Sequence, residues 1–115
     1  MDIIREVLKT DEYERYFQSL DIRTQAKYDY VIELIQTQRV VNAKFIKKIQ
    51  NTEFYEIRIP IGTNEYRTML IAIDSQSLME AERVILLNSF LKKDSKQYKR
   101  EIEKAILIMK REDLI

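Results

Sequence analysis

The side chains best suited to chemistry in this sequence are cationic. Arg58 and Arg67 stand inside two strand-like runs, FYEIRIPI and EYRTMLIAID. Lys92 and Lys93 end a third run, RVILLNSFLKK, and Lys96 and Lys99 follow it. Lys44, Lys47 and Lys48 join them if the KFIKKI segment packs beside the strands. A guanidinium fork matches the oxygens of a phosphate, and charge-assisted hydrogen bonds of that kind are short and strong. Structural roles are the alternative. Arg58 and Arg67 can pair with Glu56 or Glu65, Lys92 and Lys93 can guard a strand end against edge pairing, and Lys96, Lys99 and Arg100 can form a polar helix face. The hairpin between the two arginines decides whether they share a face. A four-residue loop puts them on one side of the sheet and a three-residue loop on opposite sides, because a one-residue slip flips every side chain.

The rest of the composition narrows the chemistry further. The 115 residues include no cysteine and no histidine. That excludes disulfides, thiolate metal sites, a cysteine nucleophile and Ser–His–Asp catalysis, and it removes the commonest general base and zinc ligand. Glycine and proline occur once each, at Gly62 and Pro60. A P-loop or dinucleotide fingerprint needs several glycines for close backbone approach, so both drop out. The net charge is only +1, yet residues 41–100 hold 11 basic against 7 acidic side chains, while residues 1–40 hold 6 against 8. Cationic charge therefore collects in the strand-bearing part. Seven tyrosines and four phenylalanines permit base stacking, but most fall on core positions, and only Phe54, Tyr66 and Tyr98 lie near the basic surface. With 45% hydrophobic and 34% charged residues the chain reads as globular. No stretch approaches the ~18 apolar residues of a spanning helix, and Asp2, Arg5 and Glu6 interrupt any secretory signal. A single domain over residues 1–115, cytoplasmic and without membrane contact, is the expectation.

These groups need elements to hold them. Residues 2–9 form a candidate first strand. Asp11 with Glu14 matches a capping box for a helix bearing Tyr13, Tyr16, Phe17 and Leu20. Asp21 or Thr24 caps a second helix with Ala26, Tyr30, Val31, Leu34 and Ile35 at helical spacing. NAKFIKKIQ suggests one or two helical turns, burying Phe45, Ile46 and Ile49 and exposing its lysines. The period then becomes two: Tyr55, Ile57, Ile59 and Ile61 point one way, Glu56, Arg58 and Pro60 the other. Gly62–Asn64 has turn chemistry. Asp94 or Ser95 caps a last helix with Tyr98, Ile102, Ala105, Ile106 and Met109 as its stripe. The fold class is α+β: a three-stranded antiparallel meander, with the candidate N-terminal strand at its edge, covered by a helical layer.

The run FYEIRIPIGTNEYRTMLIAID, followed by ILLNSFLKKDSKQYKREIEKA, resembles the RelE/HigB superfamily of bacterial toxins, especially its phage-derived HigB-like branch. That branch reads aromatic-Tyr-Glu-[Leu/Ile]-Arg, then Tyr-Arg, then a hydrophobic strand ending in Phe-x-Lys-Lys, then a helix with Glu and Ala. The resemblance implies a RelE-like fold and the toxin component of a type II toxin–antitoxin system. It further implies a ribosome-dependent mRNA endoribonuclease, needing no metal or cofactor, that drives a ribose 2′-hydroxyl onto the adjacent phosphate. The implied partners are a cognate antitoxin of helix-turn-helix type, the ribosome and mRNA. By motif position the resemblance assigns catalytic roles to Arg58, Arg67, Lys92 and Tyr98, and RNA binding falls to Lys44, Lys47, Lys48, Lys93 and Lys96. The alternative on the same fold is a non-nuclease: a gyrase-poisoning toxin, or a degenerate toxin that only binds its antitoxin. The chain departs from the family at Glu56, where RelE carries a lysine, and in lacking the histidine of some HigB proteins. A base here would be a lysine of lowered pKa or Glu56.

Overall fold

The two longest strand runs are apolar on both faces, so the sheet needs cover on both sides. The computed structural model describes residues 2–114. In chain order these form β1 (Glu6–Lys9), α1 (Asp11–Gln18), α2 (Ile22–Thr37), β2 (Ile46–Lys48), β3 (Tyr55–Ile61), β4 (Asn64–Ala72), β5 (Arg83–Leu91) and α3 (Ser95–Arg111). The strands make one sheet in the order β1-β5-β4-β3-β2. All neighbours are antiparallel except β1, which lies parallel to β5. The α+β class and the meander hold. A single helical layer does not. Tyr13 of α1 and Tyr28, Val31 and Ile35 of α2 pack on Ile57, Ile59, Leu70 and Leu86. Ala105, Ile108 and Met109 of α3 pack on Met69, Ile71, Ile85 and Leu87 across the sheet.

Three local expectations are corrected. NAKFIKKIQ is not helical. Ile46–Lys48 instead form a fifth, edge strand on β3, with Ile46 opposite Ile57. The unpaired edge of β3 offers the segment backbone partners as well as a place to bury Phe45 and Ile46, and tertiary pairing outweighs local propensity. Pairing stops soon after the Arg58 N–H bonds the Phe45 carbonyl, since Pro60 has no N–H to donate. The cap of α1 is Thr10, not Asp11. Its hydroxyl accepts from the Tyr13 N–H and faces the Leu86 and Leu87 carbonyls at 3.0 and 2.9 Å, which ties α1 to β5. The buried stripe of α2 is Thr24, Tyr28, Val31, Ile32 and Ile35, whereas Ala26 and Tyr30 are exposed. Asp21 caps α2 and Asp94 caps α3, each through its carboxylate.

Arg5 holds the end of the sheet together. It is fully buried and makes no ion pair within 4 Å among the described residues, Asp74 acting on it only from a distance. Nε donates to the Ala81 carbonyl, Nη1 to those of Ile35 and Gln38, and Nη2 to those of Arg39 and Met79. One side chain thus satisfies carbonyls at the C-terminus of α2, which have no partner inside the helix, and in the β4–β5 connection.

Near the C-terminus of α3, Arg111 donates Nη2 to Glu12 of α1 at 2.8 Å, and Nη1 to the second oxygen of the same carboxylate. These bonds push the Glu12 pKa down from its ordinary 4.5 to about 2. The pair therefore contributes its full stabilisation above pH 4.5 and loses it as pH falls through about 2. Glu12→Gln is expected to lower the melting temperature modestly at pH 7, because Arg111 is half exposed, with the deficit shrinking below pH 4.5. Melting curves of both proteins at neutral and acid pH check this. A deficit unchanged at pH 2 would remove the ion pair as its cause.

Candidate functional site

The hairpin between β3 and β4 is closed by two residues, Gly62 and Thr63, since Ile61 pairs with Asn64. Gly62 has a φ of +60°, as the first central residue of a type II′ turn requires, and glycine takes this at little cost. An even-numbered loop keeps the same parity as the four-residue alternative. Arg58 and Arg67 are accordingly direct cross-strand partners on the α3 face.

A bulge brings the third strand's cation to that face. Thr68 pairs with Ser89 but Leu70 pairs with Leu86, so Leu87 and Asn88 together oppose Met69. Leu87 packs under α3, and Asn88 donates to the Glu101 backbone and side chain at 3.0 and 3.1 Å. The extra residue reverses the alternation beyond it. Phe90 then stands opposite Arg67, and Lys92 joins the same side.

On this face a groove of about 740 Å³ runs between β3, the end of β5 and α3. Lys47, Arg58, Lys92, Tyr98 and Lys99 line it, with Glu56 behind Arg58 and Ile49 and Ile102 as apolar wall. Glu56 is the centre of the ion pairing. Arg58 Nε donates to its Oε1 at 2.8 Å, and Arg67 Nε lies 3.9 Å from the same oxygen. Two guanidiniums directly across a strand pair repel, and the buried carboxylate between them offsets this. Arg58 remains 31% exposed, and its two Nη groups have no partner among the described residues. Arg67 is only 4% exposed, pairs also with Glu65 at 3.4 Å, and does not line the groove. Both the cationic cluster and the structural pairing with glutamates are thus present.

The remaining residues divide. Tyr98 lines the groove and packs edge-to-face on Phe90, ring centroids 5.7 Å apart. Lys47 and Lys48 line it from β2 rather than from a helix. Lys44 lies elsewhere, its ammonium 5.0 Å from the Phe45 ring. Lys93 and Lys96 are exposed near the start of α3 and are not among the lining residues. The larger recess, about 980 Å³, lies beside the β4–β5 connection, with Glu53, Asp74 and Asp113 against Lys48. Its acidic lining suits no phosphate, and Asp74 already accepts from the Glu82 and Arg83 N–H groups.

Known proteins share this fold. Residues 15–110 match the family of phage-derived Gp49-like proteins (DUF891). A double arginine-to-alanine mutant of E. coli toxin RelE in the free state superposes with a TM-score of 0.60 at 14% identity, covering 92% of this chain and 96% of that one. A chain of the intact E. coli RelBE toxin–antitoxin complex gives 0.53 at 12% identity, covering 78% and 99%. No curated protein sequence matches significantly. With four-fifths of the chain inside the family match, the chain belongs to the phage-derived Gp49-like family, and its fold is that of RelE.

Proposed function

We propose that this chain is the toxin of a toxin–antitoxin pair and cuts mRNA on the ribosome. The observation that carries the proposal is the meeting of Arg58, Lys92, Lys47 and Lys99 on one groove, with Tyr98 in its wall. RNA supplies its own nucleophile. The 2′-hydroxyl oxygen attacks the adjacent phosphorus and releases its proton to water, the P–O5′ bond breaks, and the leaving 5′-oxygen takes a proton from water, so that a cyclic phosphate and a 5′-hydroxyl remain. Negative charge grows on the phosphate oxygens, which Arg58 and Lys92 stabilise. Glu56 holds Arg58 by Nε, so that its Nη edge is presented to the groove. Arg67 sits behind and shares the glutamate's charge. Tyr98 offers a ring face for a base.

Glu56 Oε1 is taken up by Arg58, and its Oε2 is buried without a partner. It acts as a counter-ion rather than as a base. Rate then comes from charge stabilisation and alignment, and the ribosome provides much of the alignment. The purified chain is expected to cut free RNA poorly and ribosome-bound mRNA well. Mapping mRNA ends in both settings, with and without the neighbouring gene product, tests this. Equal cutting of naked RNA would overturn the ribosome requirement, and no cutting in either setting would overturn the nuclease.

The intact RelBE complex among the structural relatives supports an antitoxin partner, and the family resemblance favours one of helix-turn-helix type. One observation favours a second reading: both arginines are ion-paired to glutamates. A chain that only binds its antitoxin or another target would keep this arrangement and leave mRNA intact.

A further inference from the structure

The cationic groove continues along α3. A second recess, about 520 Å³, lies between α3 and the β2–β3 loop, and Lys48 and Ile102 line both. Its floor is apolar: Phe54 and Met109 are buried, Ile102 and Ile106 half-buried. Its rim is a tightly bonded loop. The Ile49 N–H donates to the Phe54 carbonyl at 2.9 Å, and the Thr52 hydroxyl donates to the Ile49 carbonyl at 2.8 Å and accepts from the Phe54 N–H at 3.1 Å. The Lys48 ammonium donates to the Thr52 carbonyl. Asn51 takes a left-handed φ of 63°, which asparagine tolerates better than most residues. Thr52 and Lys48 are thereby occupied. Asn51 and Glu53 are exposed, and their side chains have no partner among the described residues.

We propose that this recess receives the nucleobase beside the phosphate held at Arg58 and Lys92, and that Asn51 and Glu53 read its edge. The inference rests on the nuclease reading. The apolar floor takes the flat face of the base. The Glu53 carboxylate accepts from an exocyclic amine, and the Asn51 amide offers one donor face and one acceptor face. Adenine, guanine and cytosine carry that amine and uracil does not, so the recess selects against uracil. Continuity with a cationic groove favours a polyanion over a peptide as occupant, and the rigid rim pre-pays the ordering that recognition needs.

The test is the distribution of cut positions in mRNA, normalised to total cutting, for the wild type, Glu53→Lys and Asn51→Gly. Glu53→Lys replaces an acceptor by a donor on an exposed side chain. It is expected to raise the share of cuts beside uridine about tenfold, the scale of one hydrogen bond to a charged group. Asn51→Gly keeps the left-handed backbone, removes the amide, and is expected to shift the distribution less but in the same sense. An unchanged distribution, or a uniform fall at all positions, overturns the base pocket while the nuclease stands. Release from antitoxin control with an unchanged distribution assigns the recess to a protein contact and overturns it too. A wild type that cuts nothing overturns the nuclease and this inference with it.

Discussion

Arg58→Ala is expected to lower ribosome-dependent cutting by about 10²–10³, the usual loss when one pre-aligned donor to a developing oxyanion is removed. The side chain is suited to that role because Glu56 fixes its Nε and leaves its Nη edge at the groove. The substitution also takes a 2.8 Å donor from a buried carboxylate, at a cost of about 1–3 kcal/mol. Activity and stability must therefore be separated. The double variant Arg58→Ala/Glu56→Gln removes the stranded carboxylate and leaves Arg67 its pair with Glu65, so its stability should recover in part while its activity does not. Arg58→Lys should keep part of the activity, since a point charge stabilises phosphate without the fork. Denaturant midpoints and mapped mRNA ends, measured on the same preparations, decide this. Cutting by Arg58→Ala at the wild-type rate would remove the residue from the chemistry. Arg67 behaves differently: at 4% exposure, its loss is expected to be felt first as instability.

Arg5→Met is expected to have the largest effect on folding. Methionine fills a similar volume, so the change isolates the polar loss. Five carbonyls at the α2 terminus and in the β4–β5 connection lose a charged donor inside the protein. Each buried acceptor left without a partner costs about 1–3 kcal/mol, so even partial recovery by water leaves a loss of about 4 kcal/mol or more. Domains of this size have about 5–15 kcal/mol in all. Most of the variant should be unfolded or easily unfolded at 37 °C. The urea midpoint at constant slope gives the measurement. A loss below about 1 kcal/mol would show that the carbonyls find other partners easily.

The sequence by itself determined the element types wherever period and caps agreed. The two-residue alternation of FYEIRIPI gave β3, carboxylates at Asp21 and Asp94 gave two helix starts, and the doubly apolar runs gave the interior strands β4 and β5. It also removed the commonest general base and the thiol nucleophile, since no histidine or cysteine is available, and left Lys, Arg, Tyr, Asp and Glu to do the chemistry. The family was legible in the same motifs. Tertiary structure decided the rest, for reasons that local pattern does not contain. KFIKKI has an apolar spacing compatible with helix, and it became a strand because β3 had an edge to fill. Arg5 looked like an ordinary charge near the N-terminus until the backbone folded five carbonyls around it. The arginines' common face depended on the number of residues in one turn, and the side on which Lys92 lies depended on one extra residue in β5. Side-chain direction in a sheet is a parity, and a parity is set by pairing between distant segments rather than by the residues that display it.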